Sequence, residues 1–203
     1  SMVTQALLPA PKRIRDLTAL NRRDIHKILM SKLTSVDLDP QAPRAAAKLT
    51  YSITPQALIV RYDENATGVD GVMHQQSIEA TDPNTTYRIA VPVEERKSVS
   101  YRKEWLSLPK DIRPEKCPRG KTVPLRDEDA EEWAINLLER NNLEPTRLDV
   151  SQSHKAPLAL DKKIAYRTIS ATVPGGPHLD KAIEEGIGHG KNYGLGLITY
   201  TTN

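Results

Sequence analysis

The sequence predicts an α+β protein made of two consecutive βαββαβ units. Three observations lead there. Each half has a run of helical periodicity with an acidic first turn, "NRRDIHKILMSKL" and "RDEDAEEWAINLLERNN". Each helix is flanked by short alternating apolar runs with strand character. A proline- and charge-rich stretch separates the halves, so the expected division is 1–98, a linker at 99–120, and 121–203.

In chain order, "VTQALLPA" is a first strand closed by Pro9 and Pro11, and "PKRIRDLTAL" is a basic connector. Asn21 is the N-cap of the first helix, with Asp24 in the turn where negative charge suits the dipole. Ile25, Ile28, Leu29 and Leu33 share one face of it, and the basic residues and His26 lie opposite. "KLTYSITPQALIVRYD" reads as a hairpin turning at Thr54-Pro55. Residues 64–84 are polar, with Gly68, Gly71 and Pro83, and allow only a short or irregular helix. "TTYRIAVPVEERKSV" alternates and is expected to close the first unit, with Pro92 placing it at an edge or bulge. In the second half "KTVPL" is a short strand, followed by the helix containing Trp133, Ile135, Leu137 and Leu138. "TRLDVSQS" and "IAYRTISATV" are strands. "GGPHLDKAIEEG" is a helix with proline in its first turn and Gly186 at its end, and "GLGLITY" is the last strand. Two such units in series amount to a tandem ferredoxin-like fold, which by itself assigns no function.

Composition narrows the function classes. The 29 Lys and Arg against 26 Asp and Glu leave a formal net charge of +3. That is too small to name a partner, but its distribution is uneven. Lys12, Arg13, Arg15, Arg22, Arg23, Lys27 and Lys32 fall in the first 32 residues, where Asp16 and Asp24 are the only acids. This local excess has the character of an RNA-facing patch. Cys117 is the one cysteine, so no disulfide framework or cysteine zinc site is expected. The five histidines are far apart in sequence, and neither a metal nor another cofactor is expected. No apolar run reaches membrane-helix length and the start lacks signal-peptide order, so a cytoplasmic protein without a membrane partner is expected.

Half of the ten glycines lie in "EGIGHGKNYGLGLITY", residues 185–200. A phosphate-binding P-loop needs Ser or Thr after Gly-Lys, on a strand-to-helix turn. Here Gly190-Lys191 precedes Asn192 on a helix-to-strand connection, and a dinucleotide fingerprint fails for the same reason. The order helix, G-I-G-x-G-K-x-x-G-L-G-L, final strand resembles the C-terminal signature of the CRISPR repeat-processing endoribonucleases of the RAMP superfamily. It is most similar to their CasE branch, from the type I-E Cascade system. "DIHKIL" in the first helix and "GKTVPL" before the tryptophan helix agree with this, so the resemblance spans nearly the whole chain. It differs in having Arg23 where the family often has a tyrosine three residues before the histidine, and in a shorter segment between strands of the second half.

The resemblance implies a metal-independent endoribonuclease that binds the repeat hairpin, cuts precursor CRISPR RNA by 2′-hydroxyl attack, and stays on the product with the other Cascade subunits. Such chemistry needs an acid or base, and charge or donors for the phosphorane. His26 is the expected acid or base. Arg23, one turn earlier, is the first candidate for the scissile phosphate, followed by Lys27, Lys32 and Ser31. Arg13, Arg15 and Arg22 are expected to face the RNA. The glycine loop would contribute bare N–H groups around Gly188 and Gly190, with Lys191 on phosphate and His189 and Tyr193 on a base or sugar, while Gly186 mainly ends a helix. Lys155, Lys162, Lys163 and Arg167, in "SQSHKAPLALDKKIAYR", match the family's stem-gripping hairpin. The alternative is a subunit that holds the repeat RNA and cuts it weakly or not at all, which the Arg23 replacement motivates.

Overall fold

The computed structural model describes residues 2–35 and 37–203. In its first half, β1 (Val3–Pro9) leads through a 3-10 turn, Leu17–Ala19, to α1 (Arg22–Met30). A short α2 (Pro43–Ala46), β2 (Thr50–Ile53), β3 (Ala57–Asp63) and β4 (Met73–Ser77) come next. These strands form one antiparallel sheet in the order β2-β3-β1-β4. Helix α1 starts where expected: the Asn21 side chain accepts from the Asp24 N–H at 2.8 Å and donates to the Asp24 carboxylate at 3.0 Å. Ile25 and Leu29 are fully buried and pack with Leu58, Val60, Tyr62 and Tyr51. Each such aliphatic side chain contributes roughly 1.5–3 kcal/mol by leaving water.

The second half begins earlier than expected. The strand at Thr86–Glu94, β5, does not close the first sheet. It pairs with β10 (Lys162–Pro174) and β11 (Thr199–Thr202), in a sheet ordered β11-β5-β10-β8, where β8 is Arg147–Val150. The division at 98 is corrected accordingly, because β5 belongs to the sheet of the second half. Tyr87, Ile89, Val91 and Val93 point into the core that α4 (Ala130–Arg140) and α5 (Pro177–Glu185) cover. The polar stretch expected to hold a poor helix supplies β4 instead, the edge strand of the first sheet, exposed along its whole length. Pro92 sits opposite Thr168 of β10 and beyond the last β11 pair, at Ala90. Its missing N–H therefore interrupts no ladder, and its carbonyl accepts from Gly196 at 2.7 Å.

The expected linker is structured. β6 (Lys97–Val99) pairs with β7 (Lys121–Val123) in a separate ribbon, with α3 (Arg102–Ser107) between them, so "KTV" is not part of the second sheet. β10 is long enough to serve two partners: its second part pairs with β8, and its first part forms a hairpin with β9 (His154–Ala159). At the C-terminal end only Thr199–Thr202 is strand. Gly194 and Gly196 hold φ of 76° and 88°, left-handed values incompatible with a continuous strand from "GLGL".

The two halves are joined through Arg61 of β3. It lies on the sheet face opposite Leu58 and Val60 and is 3% exposed. Its Nη1 donates to the carbonyls of Ile198 at 2.6 Å and Ile183 at 3.3 Å, and its Nε donates to Gln5. Burial lowers its pKa to about 10, with nearby Tyr200 opposing the shift, so it stays charged at neutral pH. Arg61→Ala would leave these buried carbonyls without a partner, at about 1–3 kcal/mol for each group. The expected outcome is a loss of about 3 kcal/mol in chemical denaturation. A change below about 0.5 kcal/mol would show that the contact does not hold the halves together.

Candidate active site at the junction of the halves

Helix α1 packs on one side against β9 and the 3-10 turn Lys191–Tyr193 of the second half. His26 and Arg22, four residues apart, share the face that meets this turn. Arg22 Nη1 donates to the Tyr193 carbonyl at 2.7 Å. The Tyr193 ring meets the His26 imidazole edge to face, with centroids 6.3 Å apart. Two further side chains of the first half reach the same turn. The Tyr51 hydroxyl donates to the Asn192 carbonyl at 2.6 Å, and Arg44 Nε donates to the Asn192 side chain at 2.5 Å. The sequence thus places His26 nearly 170 residues from the glycine loop, and the fold brings the two together.

The glycines shape this loop. Gly194 has φ +76°, and a Cβ there would lie 2.7 Å from Ile53 Cδ1 and 3.1 Å from Arg22 Nη1. At Gly188, φ +78°, it would meet Val93 Cγ1 at 2.4 Å. Their first role is therefore close packing in left-handed geometry, not open presentation of backbone. Even so, the N–H groups of residues 188–192 make no backbone hydrogen bond among the described residues, which leaves them available to an anion. Gly186 ends α5 as expected, its N–H donating to Ala182.

The polar balance is one-sided. His26 Nδ1 and Arg22 Nε are buried and have no hydrogen-bond partner. Arg22, Arg44 and Lys191 form no ion pair among the described residues. Burial lowers the pKa of Arg22, and nearby Tyr166 and Tyr51 oppose it. Burial likewise lowers that of Lys191, Arg44 adding to the effect and Glu185 opposing it. For His26, burial comes first, the Asn192 carbonyl opposes it, and Arg44 pushes in the same direction as burial, leaving the pKa below its ordinary value. Unpaired cations around an imidazole with a free nitrogen are suited to binding a phosphate next to a proton acceptor. Among the described residues, no group of three or more His, Cys, Asp or Glu is placed to hold a metal ion.

The remaining expected residues divide into three sets. Arg23 and Lys27 are exposed on α1 and their side chains form no hydrogen bond or ion pair among the described residues, while Arg22 is the arginine bonded to the loop beside His26. Ser31 spends its hydroxyl on the Ile28 carbonyl at 2.6 Å, and Lys32 lies just past the Ser31 C-cap, outside the helix. Arg13 and Arg15 are exposed on the connector before α1. Lys155, Lys162 and Lys163 are exposed on the β9–β10 hairpin; Lys155 and Lys163 alternate with Ala156 and Ile164, which pack on Leu195. Arg167 differs from the expectation of a free stem contact: it is 4% exposed and its guanidinium is engaged by Glu95 at 2.6 Å and Asp127 at 2.8 Å, as a structural ion-pair centre. His189 is exposed and forms one wall of a cleft of about 290 Å³ with Lys191, Arg44 and Arg96. Arg44, Tyr51 and Asn192 have no local sequence signature; Arg22 was expected to face the RNA from the basic cluster, and its i−4 spacing from His26 is the pointer to the closer role.

The His26 imidazole is expected to titrate below about 6.5 by NMR, and Arg44→Ala should move the midpoint upward. The linked stability is fully present above about pH 6.5 and is lost as pH falls toward the folded-state pKa, because the unfolded chain binds the proton more tightly. A midpoint at or above 6.5 in the wild-type protein would contradict this burial.

No protein-family model matches the chain, and no curated protein matches it in sequence. Solved structures do match. Thermus thermophilus Cse3 bound to an RNA representing a pre-cleavage complex is 17% identical at a TM-score of 0.63, covering 98% of each chain. The CRISPR-associated protein Cas6e from Escherichia coli K-12 is 13% identical at 0.62, covering 98% of this chain and 99% of that one. A chain of a CRISPR RNA-guided surveillance complex is 16% identical at 0.55, covering 99% of both. Over almost its full length, this chain has the fold of the Cse3 and Cas6e proteins.

Proposed function

We propose that this protein binds a CRISPR repeat hairpin, cuts it by attack of a ribose 2′-hydroxyl on the adjacent phosphate, and keeps the product as a subunit of a surveillance complex in the cytoplasm. The observation that carries this is the His26–Arg22 face: an imidazole nitrogen and a guanidinium N–H, both buried without a partner, among cations with no carboxylate bonded to them. The shared fold with Cse3, described as a CRISPR endoribonuclease bound to a 19-nucleotide RNA and as bound to an RNA representing a pre-cleavage complex, supports the substrate class. The two sheet orders, each with a helix crossing its face, support reading the architecture as two ferredoxin-like units, the first without its second helix.

In this reading each residue takes one role. His26, neutral at pH 7, accepts the proton of the 2′-hydroxyl. The O2′–P bond forms and the P–O5′ bond breaks, giving a 2′,3′-cyclic phosphate and a 5′-hydroxyl end that takes its proton from water. Arg22 brings its positive charge to the phosphorane while Nη1 stays on the Tyr193 carbonyl. Lys191 and the 188–192 N–H groups hold the adjoining backbone. Lys155, Lys162, Lys163, Arg13 and Arg15 contact the stem through its phosphates. No step requires a metal ion.

His26→Ala is expected to slow single-turnover cleavage in EDTA by at least ~10³-fold, while hairpin affinity stays within about twofold. Arg22→Ala should slow it by about 10²-fold, and Arg23→Ala by less than about threefold. A single 2′-deoxy substitution at the scissile nucleotide should stop cutting entirely. Cutting of that RNA would refute the 2′-hydroxyl route. Tight binding with no cutting by the wild-type protein would favour the binding-subunit alternative, which the outward-facing Arg23 in the place of the family tyrosine motivates.

A further inference from the structure

The cleft beside the glycine loop does not end at His189. Arg96 and His189 line it and also line a second cavity of about 460 Å³. The far wall of that cavity is α4, where Trp133, Asn136 and Arg140 succeed one another at helical spacing and so share one stripe. Trp133 is half-buried and packs on the second core, which fixes its ring, while Asn136 and Arg140 are exposed. Of the acids along it, Asp129 is already held by Lys97 at 3.5 Å and Arg126 at 3.1 Å, while Glu132 and, at the near end, Glu94 line the walls beside the cations. The result is a groove that starts at Lys191, crosses Arg96 and His189, and ends on an aromatic ring with an arginine beside it.

We propose that this groove holds single-stranded RNA leaving the base of the hairpin, with one base stacked on Trp133 and its flanking phosphates on Arg96 and Arg140. The proposal rests on the ribonuclease function above, because it takes the groove's near end, at Lys191, as the place that holds the backbone adjoining the scissile phosphate. An immobilised ring tolerates any base face, and fixed cations track the backbone beside it; together these are the usual elements of single-strand binding. A duplex stem would keep its bases stacked internally and could not use the ring, so the ligand is the unpaired flank.

The test compares the repeat hairpin alone with hairpins carrying five unpaired nucleotides on the 5′ or the 3′ side, on the full chain at fixed salt. One of the two extensions should tighten wild-type binding about tenfold, the order expected for a stacked base with its phosphate contacts. Arg140→Ala, Arg96→Ala and Trp133→Leu should each lose most of that gain and bind the bare hairpin like wild type. The two arginine variants leave the core untouched, so they decide the matter if Trp133→Leu does not fold. No gain from either extension, or an equal gain in the arginine variants, would overturn the proposal. If the bare hairpin does not bind at all, the ribonuclease function fails, and the groove is then judged on a ten-nucleotide single strand of mixed sequence. In a Trp105→Phe background that strand should quench Trp133 emission, and Arg140→Ala should abolish the quench; absence of quenching would overturn the groove as well.

Discussion

The rest of the molecule depends on a set of donors in the first half that grip the backbone of the C-terminal loop. Arg22 takes the Tyr193 carbonyl, Tyr51 takes Asn192, and Arg61 takes Ile198. The acceptors are main-chain carbonyls in a segment that cannot run as strand, because Gly194 and Gly196 hold left-handed angles. Hydrogen bonds from a charged donor contribute about 1.5–3 kcal/mol each, so two arginines and a buried tyrosine fix this loop firmly.

That grip links the fold to its chemistry. Arg22 serves both at once: one nitrogen anchors the loop, and another stays free beside His26. Tyr51 and Arg44 do not face the reacting atoms in the proposed reaction, yet they set where Asn192 lies, and Asn192 and Arg44 in turn influence the proton affinity of His26. Tyr51 itself is driven above its ordinary pKa by burial, so it remains a donor throughout the neutral range. Depressed basicity at both His26 and Lys191 has the same origin: partial burial at the junction, beside Arg44, with Glu185 only partly opposing it at Lys191. A phosphate arriving there replaces the missing counter-charge.

Much of the local structure was legible. The cap at Asn21, the apolar stripe of α1, the acidic start of α4 and the Gly186 stop are short-range features, and each one forms as the residues dictate. The glycine cluster stood out by its density, and the family resemblance it carries singled out His26. What was not legible is long-range. The alternation of Tyr87–Val93 says that the strand has a buried face but not which core receives it, and the second core does. Arg22 and Arg23 are equal neighbours of His26 on a helical wheel, and only the position of the Tyr193 carbonyl distinguishes them. Arg167 sits among lysines in sequence, while its partners Glu95 and Asp127 lie more than 35 residues away, so its burial as an ion pair left no local trace.

The most direct measurement is made on Tyr51→Phe, which removes a single hydroxyl, to Asn192, without touching His26, Arg22 or any expected RNA contact. Amide hydrogen exchange across residues 188–196 and single-turnover cleavage of the repeat hairpin are measured on the same protein. If the gripped loop builds the site, exchange rises in that segment, cleavage slows by about tenfold, the order of one lost buried hydrogen bond, and hairpin affinity changes little. Faster loop exchange with cleavage at the wild-type rate would contradict the account, since the site would then not depend on how the first half holds the loop.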